Sequence, residues 1–214
     1  MEILIKIVIY IHAFFGGLGL LAGFASVIFK KGSPKHKLSG KIFSYSMILS
    51  STLSLPICWL PKHENPFLFL IGIFAIYLVL SGNRILLFQK RPYATITDKL
   101  ISGTLLVGSI FMIALGSYYM YHMQNVGVLY LVFGPLALTM SLRDFKFFRN
   151  FDKSKVMKFH IGKMTGAFGA SITAFLVAGV RLNGLIYWIL PSIVMAIYMV
   201  YWFKKIGKSK LKTA

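Results

Sequence analysis

The sequence predicts an all-α, polytopic membrane protein: a bundle of seven transmembrane helices with the N-terminus outside and the C-terminus in the cytoplasm. Three observations carry this reading: the composition, the spacing of the apolar runs and the one-sided placement of the basic residues. Of 214 residues, 57% are hydrophobic and only 14% charged, whereas soluble domains are roughly a quarter charged and somewhat under half apolar. Twenty-four Lys and Arg against five Asp and Glu give a formal charge of +19. On a soluble chain that excess would point to nucleic acid. Here the charges sit in short clusters between apolar runs, which is a topology signal and argues against a nucleic-acid partner. The single cysteine, Cys58, excludes a disulfide framework and a cysteine-based zinc or iron–sulfur site.

A spanning helix needs about 20 apolar residues at about 1.5 Å each. Seven segments qualify, at about 3–29, 42–60, 67–88, 100–121, 126–142, 161–180 and 185–203. They use nearly the whole chain, so residues 1–214 are expected to form one domain without a linker. The first span has no basic segment ahead of it and no small-residue cleavage pattern, and is expected to stay in the mature protein. Basic loops stay in the cytoplasm. One side collects 21 of the 24 Lys and Arg, in the segments 30–41, 84–99, 143–163 and 204–212, while the other holds only Lys6, Lys62 and Arg181. The cytoplasmic (inner) membrane of a bacterium is the expected location, with anionic phospholipids against the basic face.

Small residues spaced four apart let helices approach closely. Gly16, Gly19 and Gly23 in the first span and Gly162, Gly166, Ala170 and Ala174 in the sixth mark these two as the expected central helices. Pro56, Pro135 and Pro191 fall inside the second, fifth and seventh spans. Each kinks its helix, which either opens a cavity toward the outer side or only improves packing.

Ionisable residues within a membrane are functional candidates. No Asp or Glu lies in the middle of a span, which argues against a carboxylate-driven, proton-coupled transporter. Lys6, Arg84 and Lys163 lie close enough to helix ends to snorkel. Asp98, Asp144 and Asp152 fall on the basic side, where Arg84, Arg143 or Arg149 can pair with them at the surface. His12 is about 13 Å into the first span at helical rise, on the face that Gly16, Gly19 and Gly23 continue. It points into the bundle, toward a neighbouring helix or a ligand.

His36 and His160 open the segments that follow two basic runs, each with a glycine a few residues on, in KGSPKHKLSGKIF and KFHIGKMTGAF. The likeness hints that helices 1–2 and 5–6 are repeated units. Flanking lysines and the helix starts disfavour imidazolium, and neutral imidazole is the form that ligates metals. The same surroundings also make an anion site for a lipid phosphate, and a purely structural role is the third reading. The expected site therefore lies on the inner face. His36, His160 and Arg84 would hold a cofactor, haem b or a divalent metal, and His36, His160 and Asp98 would form the metal-ligand set. No G-x-S-x-G, P-loop, GxGxxG or HExxH pattern is present.

Over nearly its full length the chain resembles an uncharacterised family of bacterial multi-pass membrane proteins common in Bacteroidetes-type genomes. The resemblance rests on His12 with its following glycines, on KKGSPKHKLSGKIFSYSM, on NPFLFLIGIFAIYLVLSGNR, and on HIGKMTGAFGASITAFLV followed by WILPS. It implies that His12, His36, Tyr77, Arg84, His160 and Met164 are recurring polar or ligand-type positions, and it implies no activity. In its histidines near the membrane faces the chain is also similar to b-type cytochromes, but only three histidines lie where a haem could use them. The best functional expectation is a haem- or metal-binding membrane component. The alternative is a non-enzymatic small-solute transporter or lipid-binding protein, using His12 and the proline-kinked outer cavity for a small solute and the basic rim for anionic headgroups; His12 and Tyr77 are the expected ligand or intramembrane polar positions.

Overall fold

The computed structural model describes residues 2–211, and side chains from 3 to 206. Lys208, Lys210 and Lys212 of the expected basic tail lie outside the described side chains. Seven α-helices follow one another: α1 (Glu2–Ile28), α2 (Pro34–Ile57), α3 (Pro66–Arg84), α4 (Ile96–Tyr121), α5 (Val126–Arg149), α6 (Val156–Ala174) and α7 (Leu185–Leu211). Among the described residues there is no strand. A turn of 3₁₀-helix, Ile85–Gln89, prolongs α3, and a wider turn, Phe175–Gly179, prolongs α6.

Several helices run beyond their apolar stretches at the basic end. α2 begins eight residues ahead of the apolar run at 42, because Ser33 caps it by accepting the His36 N–H at 3.2 Å and Pro34 supplies the preset φ of a first turn. Asn65 and Pro66 start α3 in the same way, with the Asn65 side chain accepting the Leu68 N–H at 3.0 Å. Apolarity selects what the bilayer accepts, whereas backbone hydrogen bonding sets how far the helix continues.

Six of the seven helices are long and apolar enough to cross a membrane, and α2 falls short. The reason is visible in its face: Ser39, Ser44, Ser46, Ser50 and Ser51 are buried there, and Lys35, Lys37 and Lys41 occupy its first turns. Ser39 and Ser44 donate back to carbonyls of their own helix, and their hydroxyls also meet Ser26 of α1 and the Asn83 amide of α3. Large apolar side chains such as Ile3, Tyr10, Phe14, Leu21, Phe111 and Ile197 point outward. A water-facing surface would not carry so many, and the chain is a multi-pass helical membrane protein in a lipid bilayer.

The centre of the bundle is α3, which packs on α2, α4 and α6, while α1 lies along α2, α5 along α4 and α7 along α6. This corrects the expectation that α1 is central, whereas α6 packs on α3, α7 and α1. The α1 glycines do serve a close contact, since a Cβ at Gly23 would run into the Phe168 and Phe43 rings. Gly19 and Ala22 are buried on the same side, against α2, and the opposite face of α1 points outward. A second glycine seam lies between α4 and α5, where a Cβ on Gly127 would stand 2.9 Å from the Gly116 carbonyl oxygen and one on Gly134 2.9 Å from Ile113. The hinted repeat fails at the level of packing too, because α1 and α2 form an intimate pair whereas α5 and α6 hardly touch.

The core runs along α3: Phe67 meets Tyr130, Phe133 and Trp188 edge to face, and Phe74, Tyr77, Leu78 and Val79 continue it. A second apolar cluster, around Phe88, Phe147 and Val156, lies beneath the loops. Cross-links place the basic segments at one end of the bundle. Lys31 lies over the Trp202 ring of α7 at 5.4 Å, His160 bonds the end of α3, and Arg84 bonds the start of α4.

Candidate functional site: a buried ion cluster beside an apolar cleft

At that basic end four helices converge on one carboxylate. Asp144 of α5 is 1% exposed, and its Oδ2 accepts three hydrogen bonds: from Lys163 Nζ of α6 at 2.7 Å, from the Tyr77 hydroxyl of α3 at 2.7 Å and from the Ser102 hydroxyl of α4 at 2.8 Å. Ser141, one turn before Asp144, donates to the Ser102 carbonyl at 2.7 Å and so ties α5 to α4 at this level. Lys163, 3% exposed, also stands over the Tyr77 ring at 5.0 Å, a placement that the ring's negative face favours. The other carboxylate oxygen, Asp144 Oδ1, is buried and has no partner. Buried acceptors are normally satisfied, so this atom stands out.

This arrangement overturns two expectations. Lys163 does not snorkel; it turns inward to Asp144. Nor is Asp144 a surface group paired with Arg143 or Arg149, since its partner is on the next helix. Both residues were visible in the sequence, but the link between them depends on which faces of α5 and α6 meet. The serines at 102 and 141, within otherwise apolar runs, were the available signal that a polar group lay nearby.

A second cluster sits between α3 and α4. Asp98 Oδ1 accepts Arg84 Nε at 2.7 Å, and its Oδ2 accepts the Arg91 guanidinium at 2.9 Å, the Thr95 hydroxyl at 2.7 Å and the Thr95 N–H at 2.9 Å. Its role is explained by position: three residues into α4, it closes the first turn on Thr95. Arg84 is thus bound to Asp98 rather than snorkelling, and both Asp98 oxygens are occupied by cations and donors. Asp152, in the loop after α5, accepts the Ser154 N–H at 2.9 Å and pairs with Lys155 at 3.2 Å. These bonds hold its carboxyl below the usual range.

His12, His36 and His160 share one arrangement. Nδ1 of His12 lies 2.9 Å from the Ser50 carbonyl, that of His36 3.0 Å from the Ser26 carbonyl and that of His160 2.7 Å from the Gly82 carbonyl. A carbonyl only accepts, so Nδ1 is the donor in each of these contacts, which in a neutral ring leaves Nε2 as the acceptor. His36, ahead of the apolar part of α2, is held below the usual imidazole value by burial and by nearby Lys31, against the opposing pull of the Ser26 carbonyl. His36 and His160 lie within electrostatic reach of each other. Among the described residues no group of three or more His, Cys, Asp or Glu is placed to hold a metal ion.

Beside the Asp144 cluster runs a cleft of about 480 Å³, bounded by α5 on one side and α7 on the other, with α6 and α3 as its floor. Its walls are apolar, among them Leu78, Phe133, Met140, Met195 and Met199, and they reach the level of Pro135 and Pro191. At its basic end stand Arg143, Lys155, Lys158 and Lys163, with Asp144. Gly162, Gly166 and Ala170 of α6 form its floor, so the small-residue stripe leaves room for this cleft in place of a neighbouring helix. The cleft thus runs from the cationic end of the bundle to the level of Pro135 and Pro191. Comparison with known protein families, characterised proteins and solved structures finds no match to this chain.

Proposed function

We propose that this is a seven-span protein of a bacterial cytoplasmic membrane, with its basic end inside, that binds a single-chain amphiphile with an anionic headgroup in the α5–α6–α7 cleft. The observation that carries this reading is the polarity of the cleft, apolar along its length and cationic at one end. Ligand sites are typically apolar clefts of roughly 300–1,000 Å³ with a few polar groups that fix orientation. Arg143, Lys155 and Lys158 are exposed and supply attraction at the mouth, and the methionines provide adaptable walls. The resemblance to bacterial multi-pass proteins fits this location and supplies no reaction. The test is binding by the purified protein in non-ionic micelles. Hexadecyl sulfonate should bind saturably, hexadecyltrimethylammonium should not, and Ala170→Trp, which fills the floor, should weaken the anion at least about tenfold. Equal binding of both amphiphiles, or none, would refute the reading.

A haem held by His36 and His160 is the second reading, supported by the free Nε2 on each ring. Two imidazoles would suit a haem iron better than a zinc site, which would need a third ligand while Asp98 is occupied by Arg84 and Arg91. A Soret band in the purified protein that is lost in both His36→Ala and His160→Ala is the expected result; a colourless protein would dismiss it.

A further inference from the structure

We infer that Asp144 is a proton-binding site of the cleft, which takes up one proton on Oδ1 for each amphiphile anion that binds. The inference rests on the cleft reading and adds the coupling. Oδ2 is already saturated by Lys163, Tyr77 and Ser102, so protonation there would displace a donor. Oδ1 is buried without any partner, and a proton can add to it while the three bonds to Oδ2 remain.

Charge supplies the reason for coupling. Asp144 and Lys163 together are neutral, and both line the cleft. Bringing an anion against a buried neutral pair is costly, because nothing there compensates its lost hydration. Arg143, Lys155 and Lys158 are exposed and keep their own water, so they draw the headgroup in without balancing it at depth. If Asp144 accepts a proton, an O–H bond forms on Oδ1, no bond in the ligand breaks, and Lys163 keeps its ammonium as counter-charge to the headgroup. Anion and proton enter together and the net charge of the site is unchanged. The proton comes from water at the basic end, where a cavity of about 10 Å³ lies between Arg84, Asp98, Ser102 and Lys163, close to the smallest space that holds one water.

Other titratable and charged groups face the pair from each element packed on it. They are Tyr77 and Arg84 of α3, Asp98 of α4, Arg143 of α5 itself, and Lys155 and Lys158 just ahead at the cleft mouth. α7 contributes only Ser192 and apolar residues to the cleft wall. Asp98 is held by two arginines, which leaves Asp144 as the carboxylate with an open oxygen.

The experiment uses hexadecyl sulfonate, whose charge does not change with pH, and the wild-type protein in non-ionic micelles. The affinity should rise by about tenfold for each unit by which pH falls, and calorimetry in two buffers of different ionisation enthalpy should show one proton taken up. Asp144→Asn, which mimics the protonated carboxyl, should bind the probe independently of pH and as tightly as the wild type at acid pH. Binding without pH dependence or proton uptake would overturn the proton site while leaving the cleft reading intact. A pH dependence that persists in Asp144→Asn would assign the proton to another group and overturn it as well. No binding by the wild type at any pH would instead remove the cleft reading itself. Should the Asn variant fail to fold, infrared difference spectra of the wild type decide: a protonated-carboxyl C=O band must appear when the anion binds, and its absence would overturn the inference.

Discussion

At the scale of single residues, the balance at Asp144 is set by what removal of one partner leaves behind. Truncating Lys163 to Met strands a carboxylate, and truncating Asp144 to Leu strands an ammonium; either should destabilise the protein by about 3–5 kcal/mol. The double substitution Asp144→Leu/Lys163→Met leaves no buried charge and should recover most of that loss, since desolvation of both ions no longer opposes folding. Thermal melting in micelles measures this, and additive losses in the double variant would mean that the two side chains do not act as a pair. His36 gives a prediction of opposite character. Burial and Lys31 disfavour its protonation in the folded protein, so below the usual imidazole value the unfolded chain binds more protons than the folded one. Stability is therefore full above that value and declines as pH falls through it toward the folded-state value. His36→Gln should shallow the acid-side decline; an unchanged acid slope would show that other groups produce it.

Helices and their seams make up the next scale, and here sequence and structure diverge in an instructive way. Apolar runs located every helix because a bilayer tolerates no other backbone there. They did not locate helix ends, since Ser33, Asn65 and Thr95 start helices through hydrogen bonds that hydropathy does not register. Neighbour relations were less legible still. The α1 glycines were visible as a stripe, yet only the fold shows that Gly23 faces Phe168 of α6, 145 positions later by subtraction of the two residue numbers. Gly116, Gly127 and Gly134 lie on two helices at spacings that no single-helix stripe reveals. Gly134→Leu should accordingly destabilise by at least about 1–3 kcal/mol, because Ile113 and Met112 leave no space. Gly103→Leu, where nothing lies within 4 Å of a Cβ, should be nearly neutral in the same melting assay. Comparable losses at both positions would mean that helix propensity, not the seam, governs the cost.

On the scale of the whole molecule, the charge distribution was the most legible property and the site the least. Basic segments far apart in sequence meet at one end through Lys31 on Trp202, Arg84 on Asp98 and His160 on Gly82, as loop composition alone suggests. A reporter that works only outside the cytoplasm should be active after Lys62 and inactive after Lys35, and the reverse pattern would invert the proposed orientation. The ion cluster escaped the sequence for a physical reason. Asp144 and Lys163 each lie within a turn or two of a basic loop, where surface pairing is the default for charged side chains. Only the convergence of α3, α4, α5 and α6 on one point withdraws them from water.

The separation of α5 from α7 along the cleft determines who supplies its occupant. On the proposed reading, the cleft between α5 and α7, which no described helix crosses, admits its guest sideways, as a dissolved component of the membrane. Its chemical activity is then its share of the lipid, not its concentration in the surrounding water. Diluting the amphiphile with neutral lipid inside vesicles should empty the cleft in proportion, whereas diluting the vesicles themselves in buffer should leave it filled. The membrane is at once solvent, reservoir and competitor for this protein.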